Sequence, residues 1–137
     1  MQEQSPNLES IKQTNSYGAE SWSARDLMKI LGYARWGNFK NAIERAEEAC
    51  KNTGQSVDSH FLQAGKMIKI GSGGQREVKD YLLSRFACYL IAQNGDPRKK
   101  EIAEAQAYFA ISTRKQELAQ LLENQEERQK ILHPNRQ

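Results

Sequence analysis

A glycine-rich tract between two extended runs is the feature that most restricts the fold of this chain. Residues 67–70 form a short β-prone run, residues 76–82 form a second extended run, and the sequence Gly-Ser-Gly-Gly at 71–74 lies between them. Glycine readily adopts the positive φ angles that a tight reversal between antiparallel strands requires. The pattern therefore predicts a β-hairpin.

A nearly all-apolar segment follows the predicted hairpin. Residues 86–92 read Phe-Ala-Cys-Tyr-Leu-Ile-Ala, Ser84 precedes them as a good N-cap, and the pair Asn-Gly at 94–95 ends the run. A helix that is apolar on nearly every face has to be buried. We therefore predict a helix over residues 85–94 as the central element of the core.

Apolar periodicity predicts two helices ahead of the hairpin. The first has Ser23 as its N-cap, apolar residues at i, i+3, i+4 and i+7, and Gly32 at its end. The second covers residues 38–52, and its predicted buried stripe consists of Phe39, Ala42, Ile43, Ala46 and Cys50.

A long helix closes the chain. Asp96 is its predicted N-cap and Pro97 its first residue, and it runs to about residue 122 or on to residue 132. Its middle is polar on all sides, so it should project from the domain. Together these elements predict an α+β fold: a small antiparallel β-sheet that includes the hairpin, packed on three to four helices, with a long protruding C-terminal helix.

Positive charge is concentrated in residues 66–100. This segment has eight basic and three acidic residues, a net charge of +5, whereas the whole chain is +3. Several of these cations fall in the first turns of predicted helices, where the positive end of the macrodipole disfavours them by roughly 0.3–1 kcal/mol each. A bound anion, most often phosphate, would reverse that penalty. The cations are Lys66, Lys69, Arg76, Lys79, Arg85, Arg98, Lys99 and Lys100.

Two other interpretations of this charge stay open. The segment could be a solvated basic loop whose charges are screened, or it could contact a partner protein. The two helices before the hairpin also invite a helix-turn-helix interpretation. The cations on the outward face of residues 38–52 are cancelled by neighbouring glutamates, which argues against a groove-reading role for that helix.

No catalytic constellation is visible in the sequence. The glycine tract lacks the Gly-Lys-Ser/Thr ending of a phosphate-binding loop, and no pair of carboxylates stands out as acid and base. Because residues 1–6 are polar we expect no secretory signal, and the sequence has no apolar run of membrane-spanning length. The cysteines and histidines occur singly, without metal-ligand spacing, at Cys50, His60, Cys88 and His133. We therefore predict a cytoplasmic, non-enzymatic protein with reduced cysteines, no metal and no cofactor.

Five blocks of the sequence resemble the bacterial DNA-damage-inducible protein D family. They are residues 18–27, 70–76, 83–90, 93–97 and 108–118. The resemblance implies an SOS-regulated or mobile-element protein. It also implies a possible action on the RecA recombinase filament, because the best-known member of that family displaces the filament or blocks strand exchange.

A more distant likeness joins residues 22–33 and 83–94 to the amino-terminal domain of BRO proteins and phage antirepressors. That domain is associated with DNA binding. On this basis residues 1–122 are expected to form a BRO-like amino-terminal domain, and residues 123–137 the end of the C-terminal helix with a flexible tail.

The sequence thus predicts a non-enzymatic DNA-binding regulatory protein of the SOS response or of a prophage. The eight cations named above are the predicted contacts to the backbone of double- or single-stranded DNA. The alternative is a protein-interaction module that engages the RecA filament or a phage repressor through the long helix, with Arg114 and Lys115 as contacts. The same helix could also form a homodimer.

Overall fold

The computed structural model describes the backbone of residues 8–132 and the side chains of residues 8–111, 114–115 and 118–127. Its mixture of helices and antiparallel strands confirms the predicted α+β class. In chain order the elements are α1 (Leu8–Ile11), β1 (Gln13–Thr14), β2 (Glu20–Ser23), α2 (Ala24–Ile30), α3 (Trp36–Asn52), α4 (Val57–His60), β3 (Phe61–Lys69), β4 (Gln75–Leu83), α5 (Arg85–Gln93) and α6 (Lys100–Leu132).

The four strands form one antiparallel sheet in the order β1-β2-β4-β3. The predicted hairpin is confirmed, and its register runs from Phe61 opposite Leu83 to Lys69 opposite Gln75. The glycine tract makes the reversal, with Gly73 at φ 90°. β3 begins at Phe61, before the predicted run, because residues 63–66 (Gln-Ala-Gly-Lys), which have little β-propensity of their own, pair with β4.

The core lies among α3, α5, the first turns of α6 and the sheet. All five residues of the predicted α3 stripe are fully buried. Trp22 of β2 packs edge-on against Phe109 of α6, with ring centroids 5.5 Å apart, so the sheet and the last helix share one core. Ser23 and Ser84 cap α2 and α5 as predicted, accepting hydrogen bonds from the amides of Asp26 and Ala87.

The structure has two short elements that the sequence analysis did not identify, and one helix start was predicted wrongly. Residues 57–60 form the single turn of α4. Residues 13–14 pair with β2 as β1. α6 begins at Lys100 because Pro97, Arg98 and Lys99 form a separate turn in which the Lys99 amide donates to the Asp96 carbonyl at 3.0 Å.

α6 leaves the core after Phe109. Ile102, Ala105 and Phe109 are buried, whereas the described side chains from Ala110 to Glu127 are exposed. At a rise of about 1.5 Å per residue, the helix beyond Phe109 is about 35 Å long. α6 continues without a break through residue 122, and the flexible tail predicted beyond residue 132 lies outside the described residues. Within residues 8–132, no helix is long and apolar enough to cross a membrane.

Candidate nucleic-acid interface

The outer part of the β3–β4 hairpin forms an exposed two-stranded ribbon, which we define as residues 65–79. Phe61 and Leu83, at the base of the hairpin, are buried, whereas every residue of the ribbon is at least partly exposed to solvent. Met67 is 55% exposed, so the ribbon presents even large apolar side chains to solvent. At about 3.3 Å per residue, the ribbon is about 17 Å long from its base to the turn.

Four of the eight predicted cations lie on this ribbon: Lys66, Lys69, Arg76 and Lys79. Glu77 is the carboxylate that shares the ribbon with them. The structure therefore brings half of the predicted site together on one projecting element, and this element carries a net positive charge.

The strand register divides these four cations between the two faces of the ribbon. Lys66 lies opposite Val78 and Arg76 opposite Ile68, which places both cations on one face. Lys69 and Lys79 point to the other face because successive side chains in a strand alternate. The ribbon is therefore basic on both sides.

Lys66 differs from the other three ribbon cations because it has an internal partner. Its Nζ lies 3.4 Å from the Asp26 carboxylate, which ties the base of the ribbon to the start of α2. Among the described residues, no ion pair joins a carboxylate to Lys69, Arg76 or Lys79. These three side chains keep their charge available for an external anion.

Arg85 differs from these three ribbon cations because its charge is already paired within the protein. It lies in the first turn of α5 as predicted, but its side chain is only 10% exposed and donates from Nε and Nη2 to the Glu20 carboxylate at 2.6 and 2.7 Å. Burial acts to lower the pKa of Arg85, but the bond to Glu20 outweighs burial and the pKa lies above its ordinary value. The anion expected at this helix start is thus an internal carboxylate.

The second predicted cluster, Arg98 to Lys100, also differs from the prediction. The guanidinium of Arg98 donates to the Asp96 carboxylate at 3.0 Å, and this bond holds the pKa of Asp96 below its usual value. Since α6 begins at Lys100, Arg98 and Lys99 precede its first turn, and Glu101 supplies the acidic residue within that turn. The helix start therefore has its own carboxylates, and the macrodipole argument for a bound anion there is lost.

Arg25 and Trp36 were missed by the sequence analysis. The Arg25 guanidinium lies 4.0 Å from the centroid of the Trp36 ring, and its Nε donates to the Lys79 carbonyl at 2.6 Å. This stacked arginine adds a cation at the base of the ribbon. Together Trp36, Lys79 and Tyr81 border a small cleft of about 100 Å³ beside it. The two residues belong to different helices, so no local pattern links them.

Buried Asp80 holds the ribbon base in place. Its carboxylate accepts hydrogen bonds from Ser23 Oγ at 2.6 Å and from the Arg25 amide at 3.0 Å. An acidic residue that is 4% exposed has to be hydrogen-bonded in this way, because an unpaired buried charge is costly. Asp80 therefore fixes the start of α2 against β4 and orients Arg25 toward the ribbon.

A row of aromatic rings connects the ribbon base with the start of α6. The Lys99 ammonium lies 5.5 Å from the Tyr33 ring centroid, the rings of Tyr33 and Phe39 are 5.0 Å apart, and Phe39 is followed by Trp36 at 6.1 Å. Lys99 and the ribbon base thus border the same α2–α3 connection. The exposed Lys99 and Lys100 could extend the basic surface, whereas Arg85 does not belong to it.

Arg114 and Lys115, the predicted partner contacts, are exposed on the projecting part of α6. They lie beyond the last buried residue of that helix, Phe109, and so stand apart from the core.

The cysteines are buried, and the described histidine is hydrogen-bonded within the fold. Cys50 and Cys88 are fully buried, and burial raises the pKa of both thiols. His60 Nδ1 shares a hydrogen bond of 2.6 Å with Ser84 Oγ, and burial lowers the pKa of the ring. In the described part of the chain, no three His, Cys, Asp or Glu side chains are grouped to hold a metal ion.

Comparison with known proteins agrees with the likeness drawn from the sequence. The family model "BRO family, N-terminal domain" matches residues 10–110. DNA damage-inducible protein D of Escherichia coli K12 is 53% identical over 119 residues, which is 87% of this chain. The chain spans 43% of the length of that relative. No solved structure matches the chain significantly.

Proposed function

The chain belongs to the BRO family through the N-terminal domain that covers residues 10–110, and from this premise we propose that it is a DNA-binding regulatory protein. We place it in the response to DNA damage because its relative carries the name DNA damage-inducible protein D. In this proposal the protein is not an enzyme, and its ribbon contacts the sugar–phosphate backbone of DNA.

The single observation that carries the proposal is the exposed basic ribbon. The major groove of B-DNA is about 12 Å wide and admits a two-stranded β-ribbon. The ribbon has cations on both faces, so long side chains would reach the phosphates on either side of such a groove. Phosphate contacts supply most non-specific affinity for DNA and require only well-placed positive charge.

Lys69, Arg76 and Lys79 are the proposed primary contacts because no described carboxylate neutralises them. Lys66 would have to exchange Asp26 for a phosphate, so its contribution should be smaller. Arg25 at the ribbon base, and Lys99 and Lys100 at the start of α6, are proposed as secondary contacts.

The non-enzymatic part of the proposal rests on the state of the reactive groups. Both described thiols are buried with raised pKa values, which makes the thiolate scarce. The one described histidine is bound to Ser84 with a lowered pKa. None of these groups is positioned as an exposed nucleophile or base.

A second candidate function is a protein-interaction module that acts on the RecA filament or on a phage repressor. The observation that favours it is the projecting part of α6, on which Arg114, Lys115 and several apolar side chains are exposed. In this alternative the affinity for DNA would be weak and α6 would carry the activity.

Fluorescence anisotropy with labelled duplex and single-stranded DNA tests the first candidate. With three phosphate contacts, raising salt from about 50 to about 200 mM should weaken duplex binding by about 40-fold. A triple variant, Lys69→Gln with Arg76→Gln and Lys79→Gln, should lose most of the affinity. The same charge change at Arg98, Lys99 and Lys100 should have a smaller effect.

Three outcomes would contradict the proposal. An affinity for DNA that does not depend on salt concentration would show that phosphate contacts do not carry the binding. An equal or larger loss of DNA affinity in the variant at residues 98–100 would show that the ribbon is not the main binding site. If neither form of DNA binds, the interaction module becomes the better account.

A further inference from the structure

The projecting part of α6 has an apolar stripe that no described residue covers. Its members are more than two-fifths exposed: Ile111 (59%), Leu118 (44%), Leu121 (52%) and Leu122 (61%). At 100° per residue these positions fall within a sector of about 100°, which also contains the exposed Arg114 and Gln125, and the spacing of 7 between the first two is that of a heptad. Exposed leucines at such a spacing are typical of a helix that pairs with another helix.

The described residues on the opposite side of the same segment are polar. The Gln120 amide donates to the Asn124 side chain at 3.2 Å, one turn further on. Glu127 also lies on this side by the helical rotation of 100° per residue. The segment is therefore amphipathic, with one side suited to solvent and the other to a partner.

The charges beside the stripe change sign along the helix. Lys115 precedes the leucines and Glu126 follows them, and both flank the stripe on the same side by helical rotation. The two residues are also nearly equidistant from Gln120. A copy of the helix that runs in the opposite direction therefore matches this arrangement, because residues of the same flank face each other in an antiparallel pair.

From this arrangement we propose that two copies of the chain pair through α6 in an antiparallel manner, with the two-fold axis crossing the pair at the level of Gln120 along the helix. Leu118 of one copy packs near Leu122 of the other, and Lys115 faces Glu126. In a parallel, in-register pair, Lys115 would instead face the opposite flank of the second copy and would not meet its Glu126. Only the antiparallel arrangement brings these opposite charges together, so it is preferred.

The pairing fixes the distance between the two domains. Phe109 is the last buried residue of α6, and 11 residues separate it from the axis at Gln120. The two domains would then lie about 33 Å apart along the paired helices, one at each end. The ribbons stay exposed because they belong to a different part of each domain. The inference does not depend on DNA binding.

Sedimentation equilibrium over a range of concentrations tests the pairing. The wild-type protein should show a reversible monomer–dimer equilibrium. Leu118→Asp should give a monomer, because a carboxylate would lie unpaired in the centre of the interface. At concentrations low enough for the wild type to be monomeric, the thermal unfolding of the two proteins should match, since Leu118 lies outside the core.

A charge exchange tests the orientation. Lys115→Glu should weaken the dimer by about tenfold, because two symmetry-related pairs change from attraction to repulsion. Adding Glu126→Lys should restore the affinity. Glu127→Lys, on the polar side of the helix, is the matched control and should leave the equilibrium unchanged.

A protein that stays monomeric at about 100 µM would overturn the proposal, since a functional dimer should form at that concentration. The stripe would then have a different occupant, such as another protein. A dimer that survives Leu118→Asp, or a Lys115→Glu variant that Glu126→Lys does not rescue, would also overturn it. None of these results bears on whether the ribbon binds DNA.

Discussion

Arg85 and Glu20 form a bidentate ion pair that connects the start of α5 to β2. Nε and Nη2 of Arg85 donate to the two oxygens of Glu20 at 2.6 and 2.7 Å, and the guanidinium lies 5.2 Å from the centroid of the Trp22 ring. Lys12 approaches the same carboxylate at 3.8 Å. Because Arg85 lies in the first turn of α5 and Glu20 lies in β2, this ion pair joins the most apolar helix of the chain to the sheet.

The ion pair predicts a large stability effect. Arg85→Met keeps the aliphatic packing but leaves the partly buried Glu20 without its main partner. We expect the free energy of unfolding to fall by about 3 kcal/mol, the lower end of the range for breaking a buried pair. Urea denaturation measures this change.

Arg98→Met is the matched control for that variant. Arg98 is 89% exposed and pairs with Asp96 two residues before it, so its loss should leave the urea midpoint unchanged. Equal effects of the two substitutions would show that the Arg85 pair does not stabilise the fold.

The lowered pKa of His60 predicts a dependence of stability on pH. Burial disfavours the charged ring, so the unfolded chain binds a proton more readily than the folded protein. The contribution of neutral His60 to the free energy of unfolding should therefore be complete above about pH 6.5, the pKa in the unfolded chain. It should be lost as the pH falls from there through the lower pKa of the folded protein.

Urea denaturation at about pH 7.5 and about pH 5.5 tests this prediction against a His60→Gln variant. The variant should lose less stability between the two pH values than the wild type. The same loss in both proteins would assign the pH dependence to other groups.

The two cysteines should resist alkylation in the folded protein. Both are fully buried, and burial raises the pKa of each thiol, so little thiolate is present or accessible at about pH 8. Iodoacetamide followed by mass spectrometry should give unmodified native protein and modification at both Cys50 and Cys88 in denaturant. Rapid native modification of either residue would contradict the described core.

Much of the fold could be predicted because its signals are local. The α3 stripe, the caps at Ser23 and Ser84, and the glycine turn each depend on residues within a few positions of one another. The predictions failed where pairing between strands that are distant in sequence determines the structure. β3 extends through residues 63–66, which have little β-propensity, because β4 pairs with them, and β1 exists because β2 lies beside it.

The site was harder to predict because pairing of charges is not local. Arg85 looked like a misplaced cation, but its partner Glu20 lies 65 positions earlier. Lys66 is likewise paired with Asp26 of a distant helix. Counting charge along the chain identified the ribbon, yet it did not show which cations the fold had already neutralised. The stacking of Arg25 on Trp36 left no signal in the sequence at all.

The salt dependence of duplex binding tests the central claim, that the ribbon cations contact phosphates, most directly. Each phosphate contact contributes about 0.9 to the slope of log affinity against log salt concentration. Lys69→Gln with Arg76→Gln should therefore reduce that slope by about 2. The control is Arg45→Gln with Lys51→Gln, which removes the same charge from exposed positions of α3 and should leave the slope unchanged. An unchanged slope in the ribbon variant, or an equal reduction in the control, would contradict the account.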